Sequence, residues 1–266
     1  MSLPTPAPQS RVVVTGASSG IGVALAEGFA RRGHSLILVA RREDRLRELA
    51  ARLHTRYNVA AEVRAIDLSD RLRRAELAEE LAVSDIAALC NNAGFASYGP
   101  LAEADPAREA QQVELNAVAV HDLTRAVLPG MIQRGTGAIL ITGSTAGNQP
   151  GPNNATYAAT KAFANTLAES LHSELAGTGV SATLLAPGPV RTEYAEAAQV
   201  PNLDRLVPDA LSVSAEQAAE AAITGMIAGR RRVVPGAFAK VQTFGGQHSP
   251  RWLLGPLLRT VYRRVN

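Results

Sequence analysis

Short β-rich runs alternate with longer stretches of helical period along almost the whole chain, and no other feature limits the fold as strongly. The runs expected as strands are Arg11 to Val14, Ser35 to Ala40, Ala61 to Ile66, Ile86 to Cys90, Ala138 to Thr142, Ser181 to Ala186 and Arg232 to Val234. Between them, helices are expected over Ile21 to Arg32, Arg42 to Arg56, Asp70 to Ala82, Pro106 to Gly130, Tyr157 to Gly177 and Ser214 to Ala228. Most of the β runs are apolar at nearly every position rather than at alternate ones. That pattern belongs to parallel strands buried on both faces, with a helix crossing over between each pair. The chain contains no internal repeat, low-complexity tract or linker that would divide it, so one doubly wound α/β domain is expected over residues 11–236. Residues 1–10, with three prolines, read as a disordered leader. Residues 237–266 read as a basic amphipathic extension packed on or beside the domain.

Composition narrows the functional classes. With 46% hydrophobic and 19% charged residues in 266, the chain matches an ordinary globular protein with a sizeable core. A single cysteine, Cys90, excludes an intrachain disulfide and a four-cysteine zinc site, and makes a reducing cytoplasm the expected compartment. His34, His54, His121, His172 and His248 are scattered without ligand spacing, so no metal site is expected. The start of the chain has neither the basic segment nor the apolar core of a signal peptide, and no charge-free apolar run reaches the ~20 residues of a membrane span. Charge is uneven. The net is +3, but residues 230–266 hold eight basic and no acidic residues, which leaves 19 basic against 24 acidic residues before them. A basic stripe at one end without an aromatic series gives little support to nucleic-acid binding.

The first strand runs into Thr15-Gly16-Ala17-Ser18-Ser19-Gly20-Ile21-Gly22 and then into a helix. Glycines at Gly16, Gly20 and Gly22 let the backbone turn sharply and approach a ligand, and the helix that follows offers unpaired N–H groups to a pyrophosphate. The spacing is GxxxGxG rather than GxGxxG. About 20 residues on, where an acidic residue would hold the 2′-hydroxyl of NAD, the chain reads Ala40-Arg41-Arg42. Two guanidiniums and no carboxylate match the 2′-phosphate of NADP(H). The sheet is therefore expected to be of the Rossmann type.

Further along stand Asp67-Leu68, Asn91-Asn92-Ala93-Gly94, Asn116, Ser144, the pair Tyr157 and Lys161, and Pro187-Gly188 followed by Val190 and Thr192. In this order and spacing the chain resembles the short-chain dehydrogenase/reductase family from Arg11 to about Val234, with an ending similar to a bacterial branch of it. Read from the residues, Tyr157 and Lys161 lie one turn apart on one helix face, where an ammonium beside a phenol favours the phenolate and eases proton exchange near neutrality. Ser144 follows a strand at the carboxyl edge of the sheet, where ligands of such folds bind. The resemblance implies more. Tyr157 would be the general acid/base, and Lys161 would also hold the nicotinamide ribose. Ser144 would orient the carbonyl, and Asn116 would anchor a water in a proton relay. Cofactor contacts would come from Gly16, Ser18, Ser19, Gly20, Ile21, Gly22, Arg41 and Arg42. Asp67 would face the adenine, Asn91 with Ala93 and Gly94 would lie beside the adenosine ribose, Val190 with Thr192 would hold the carboxamide, and Leu68, Pro187 and Gly188 would add further cofactor contacts.

Two alternatives attach to single residues: Asp67 could cap the next helix, and Pro187-Gly188 could be a plain loop. The resemblance also implies a homodimer or homotetramer packed through the helices of Gln111 to Leu128 and Phe163 to Leu175, a pattern that core packing explains in part. Tetramers of one common family type end on an Asp-Gly-Gly turn, which is absent here. The expected activity is NADP(H)-dependent interconversion of a carbonyl and an alcohol. The alternative is a catalytically idle NADP-binding sensor or scaffold. A lid over Glu193 to Leu211, with apolar Tyr194, Val200, Leu203, Leu206 and Val207 and no cationic clamp, points to an apolar substrate. Trp252, Leu253, Leu257, Leu258, Val261 and Val265 recur at near-helical spacing amid arginines, a pattern that fits packing or a subunit interface better than peripheral membrane contact.

Overall fold

The structure is a computed structural model that describes residues 3–191, residues 212–250, Trp252 and Pro256. Thr192, the expected lid and most of the near-helical series at the C-terminus lie outside the described residues.

Nine strands are described: β1 (Arg11–Thr15), β2 (Ser35–Ala40), β3 (Ala61–Ala65), β4 (Ile86–Asn91), β5 (Gly137–Thr142), β6 (Val180–Leu185), β7 (Val190–Arg191), β8 (Val213–Ser214) and β9 (Arg232–Val233). Seven of them form one sheet in the order β3-β2-β1-β4-β5-β6-β9, and every pairing is parallel. β7 and β8 pair separately. The helices are α1 (Gly20–Ala30), α2 (Glu43–Tyr57), α3 (Arg71–Ala82), α4 (Pro106–Val113), α5 (Ala119–Arg134), α6 (Ala155–Glu174), α7 (Ala215–Ile227) and α8 (Ala237–His248).

Side chains alternate across the sheet as the pleat requires, and each set feeds a separate core. Val12, Val14, Leu36, Leu38 and Leu140 pack on one face with Leu25 and Phe29 of α1, Leu46 and Leu49 of α2, and Ile223 and Met226 of α7. Val13, Ile37, Val39, Leu89, Ile139 and Ile141 pack on the other with Leu77 of α3, Leu123 and Val127 of α5, and Ala168 and Leu171 of α6. Two buried faces explain why β4 and β5 are buried at every position. Edge strand β3 is only partly buried and carries Glu62 and Arg64, which protect a strand without an outer partner.

Chain order reverses between β1 and β4, and at that switch point the strand ends part to form a crevice. The helix expected over Pro106 to Gly130 forms with an interruption: the π-helical turn Glu114–Val118 joins α4 to α5. Both ends of the described chain pack on the domain. At the N-terminal end, Leu3 is 8% exposed within the first core and the Ser10 hydroxyl donates to Asp85. The extension begins with a regular helix, α8, that packs on the 3-10 turn Thr145–Asn148 and over Gly188. Among the described residues, no helix is long and apolar enough to cross a membrane.

Candidate active site

The crevice starts at Thr15, whose hydroxyl donates to the Cys90 carbonyl (3.2 Å) and accepts from the backbone N–H groups of Asn92 (2.9 Å) and Ala93 (3.0 Å). This one side chain ties the ends of β1 and β4 together. Two glycines then admit the loop. Gly16 has φ +68°, and a Cβ there would lie 2.9 Å from the Cα of Ala93. A Cβ on Gly22 would sit 2.1 Å from the Gly16 carbonyl oxygen, so the first turn of α1 can close on the loop only with glycine there. Ser19 caps α1 without a side-chain hydrogen bond, which leaves the helix N-terminus to an outside acceptor. Beside it, Arg42 donates to the Ser18 hydroxyl (3.2 Å) and carbonyl (3.0 Å). Arg41, with a side chain 66% exposed, reaches to 3.9 Å from Asp67. An open helix end under a glycine turn, rimmed by two guanidiniums, fits a dinucleotide bearing an additional phosphate.

Asp67 does not cap the following helix. Asp70 does, accepting from the N–H groups of Leu72 and Arg73, while Asp67 accepts from the backbone and hydroxyl of Ser69. The Leu68 side chain is buried in the second core, and its carbonyl accepts from Arg74 at 2.8 Å. Arg74, 2% exposed, also donates to Glu114 (2.8 Å) and Asp122 (2.9 Å), so it links the turn after β3 to the π turn and α5. Nothing local in the sequence marks this arginine, whose partners lie up to 48 residues away.

The side chains of the Asn pair turn to opposite sides. Asn91 is 3% exposed and donates to the Thr124 hydroxyl at 2.9 Å and the Val120 carbonyl, so its amide is engaged with α5. Asn92 instead turns to the glycine loop, donating to the Thr15 carbonyl at 3.1 Å. A Cβ on Gly94 would lie 3.0 Å from Asn116 Oδ1 and 3.4 Å from Lys161 Nζ, so these three residues meet at one point. Asn116, in the π turn, is 1% exposed; it accepts from the Phe95 N–H (3.1 Å) and donates to the Phe95 carbonyl (2.8 Å) and the Thr160 hydroxyl (3.2 Å). Its amide therefore holds the loop after β4 against α6.

On α6, Lys161 is 5% exposed and donates to the Thr142 carbonyl at 2.8 Å, and its ammonium lies 5.8 Å from the centre of the Tyr157 ring. Burial pulls its pKa down to about 8, because a poorly solvated ammonium gives up its proton more readily. Ser144 is 8% exposed, and its hydroxyl accepts from the Ala146 N–H at 3.1 Å, an arrangement that leaves its own proton to be donated. The Pro187 carbonyl accepts from the Thr145 N–H at 3.0 Å, and Val190 pairs with Val213, so this segment is fastened at both ends. Cys90 is buried, and burial raises its thiol pKa well above the usual range, which makes it inert.

A Rossmann-type α/β fold with a glycine loop before an uncapped helix N-terminus and a Tyr/Lys pair over the carboxyl edge of β5 defines a dinucleotide-dependent class of protein. Comparison with known proteins is specific within that class. The short chain dehydrogenase family model matches residues 10–201. Sulfoacetaldehyde reductase 2 of Chromohalobacter salexigens is 40% identical over 187 residues, covering 69% of this chain and 73% of its own length. A short-chain dehydrogenase from Sphingobium yanoikuyae, solved in complex with NADPH, has a TM-score of 0.82 at 34% identity, covering 93% of this chain and 94% of that one. The bulky-bulky ketone specific alcohol dehydrogenase from Comamonas testosteroni has a TM-score of 0.75 at 30% identity, covering 94% and 92%. The chain belongs to the short-chain dehydrogenase family and is an oxidoreductase of that family.

Proposed function

We propose that the protein interconverts a carbonyl and an alcohol with NADP(H), the proton being exchanged through Tyr157. The observation that carries this reading is the buried Lys161 ammonium, anchored on the Thr142 carbonyl and 5.8 Å from the Tyr157 ring. A binding module needs the glycine loop, but it has no use for a cation buried beside a phenol, and this disfavours the idle sensor. The solved relative holding NADPH and the pair Arg41 and Arg42 support NADP(H) over NAD(H).

When bound, the nicotinamide supplies the hydride to the carbonyl carbon or takes it from the alcohol. Gly16 to Gly22 and the N-terminus of α1 would hold the pyrophosphate, with Arg41 and Arg42 on the 2′-phosphate. Ser144 donates its hydroxyl proton as a hydrogen bond to the substrate oxygen, which fixes the carbonyl and stabilises the negative charge that develops there. Tyr157 gives its phenolic proton to the same oxygen, and Lys161 stabilises the phenolate that remains. In the oxidative direction the phenolate takes that proton back. Asn116, bonded to Phe95 and Thr160, braces the pair from the other side of the crevice.

The substrate class we infer is an apolar ketone or secondary alcohol, in keeping with the bulky-bulky ketone specificity of the Comamonas enzyme. The groove between α5 and α6, lined by Leu128, Pro129, Ile132, Leu167 and Leu171, supports a homo-oligomer. A single, fully buried cysteine is compatible with a reducing cytoplasm. The deciding experiment follows NADPH oxidation against ketones of graded size for wild type and Tyr157→Phe. Turnover of the variant should fall by about 10²-fold or more while NADPH binding is kept. A variant within a few-fold of wild type would refute the assignment.

A further inference from the structure

The helix that carries Tyr157 and Lys161 presents a third polar side chain one turn further on, Asn165, 4% exposed and without a role in the reaction described above. Its carboxamide grips Ser144 by both backbone groups. Oδ1 accepts from the Ser144 N–H at 3.2 Å, and Nδ2 donates to the Ser144 carbonyl at 3.0 Å. The same Nδ2 donates to Asn148 Oδ1 at 3.3 Å, at the far end of the 3-10 turn that Ser144 caps.

The spacing has a simple origin. Four residues of helix advance about 6 Å, and two residues of extended chain advance about 6.6 Å, so side chains at i and i+4 on α6 can meet alternate residues beyond the end of β5. Lys161 accordingly reaches Thr142, and Asn165 reaches Ser144. Between these two attachments stands Gly143, where a Cβ would lie 1.9 Å from Asn165 Oδ1. The amide occupies the place of a side chain at position 143, and this close fit is what the glycine permits.

We infer that Asn165 is a positioning residue that sets the place and direction of the Ser144 hydroxyl and affects carbonyl chemistry only through it. The inference rests on the role given to Ser144 under the proposed function. Ser144 leaves the end of a strand into a single 3-10 turn; its neighbours Gly143 and Thr145 are tied to Leu185 and Pro187, but without the amide its own backbone groups keep only the bond from the Gly147 N–H to its carbonyl at 3.1 Å. A displacement of about 1 Å at a hydrogen-bond donor is enough to cost about 10²-fold in rate.

The test is a double-mutant cycle of Asn165→Leu and Ser144→Ala, read with the ketone that the wild type turns over fastest and with NADPH titration by fluorescence. Asn165→Leu alone should lower kcat by about 10²-fold with a smaller change in ketone KM and with NADPH affinity within about 2-fold of wild type. In the Ser144→Ala background the same substitution should cost almost nothing further. If Asn165→Leu does not fold, Asn165→Asp takes its place, since it keeps the shape but sets a carboxylate against the Ser144 carbonyl and Asn148 Oδ1. Equal losses in the two backgrounds, wild-type kcat in the Asn165 variant, or NADPH affinity falling in parallel with kcat would each overturn the inference alone. Wild-type kcat in Ser144→Ala would overturn the role of Ser144 and this inference with it.

Discussion

Lys161 owes both its chemistry and its cost to burial. Its ammonium is held by one carbonyl and little solvent, and its pKa is drawn down to about 8. In the unfolded chain a lysine titrates near the ordinary ~10.4, so between the two values the unfolded state binds more protons than the native one. Stability contributed by this group is therefore lowest below pH 8 and rises with pH through that window. Unfolding of the cofactor-free protein in denaturant at pH 7 and pH 10 should show wild type gaining on Lys161→Met by up to about 3 kcal/mol. A constant gap would contradict the burial argument. Arg41 supports a second prediction. Arg42 is already bonded to Ser18, whereas Arg41 is largely exposed and so able to move onto a phosphate. Arg41→Ala should weaken NADPH binding by about 10-fold, the value of one charged hydrogen bond, and leave NADH binding unchanged. Equal wild-type affinity for the two dinucleotides would remove the basis for NADP(H) preference. At this scale the types and order of Asn116, Ser144, Tyr157 and Lys161 were readable from the chain. The direction of Asn91 and Asn92 was not, because successive residues at a strand end face opposite sides and the covering helix decides which side is wet.

Among the elements, the six expected helices and seven expected strands all form, most of them with ends displaced by only one or two residues, because their apolar periods are local properties. The π turn at Glu114–Val118 has no such signature; it sits where Asn116 is tied to Phe95 and Thr160 and where Arg74 holds Glu114, contacts made from three other parts of the chain. Helix α8 is unusual in its faces. It buries Ala239, Thr243 and Gly246 and exposes Val241 at 72% and Phe244 at 67%. Its seat is narrow, since a Cβ on Gly188 would come within 2.9 Å of Ala239 Cβ, and only small residues fit there. Phe244→Ser should therefore alter the stability of the isolated protein by less than about 0.5 kcal/mol, measured by denaturant unfolding. Strand β6 gives the opposite case. Thr183 is 0% exposed with a hydroxyl that has no hydrogen-bond partner, and Thr183→Val, which keeps the β-branched shape, should stabilise the protein by about 1 kcal/mol. A loss of stability in Thr183→Val would mean that the hydroxyl is satisfied in solution.

For the molecule as a whole, the apolar groove between α5 and α6 is a feature of the described residues left without a role inside one chain. Ile132 is 42% exposed there, and Phe163, one turn before Leu167 on α6, is 41% exposed, although both helices are otherwise packed on the second core. Light scattering after size exclusion should give a dimer or tetramer for wild type and a monomer for the pair Ile132→Asp and Leu167→Asp; a monomeric wild type would leave the groove to some other use. The sequence by itself determined the order of elements, the parallel sheet, the place of the glycine loop and the identity of the Tyr/Lys pair, because periods of two and 3.6, glycines at a turn and i, i+4 spacing all act within a few residues. Only the tertiary structure decided how Asn165 meets Ser144, how Arg74 joins Leu68 to Glu114 and Asp122, and how α8 closes over Gly188. These contacts unite residues far apart in the chain. Their geometry is set by which helix covers which face of the sheet, a matter of packing that no local pattern records.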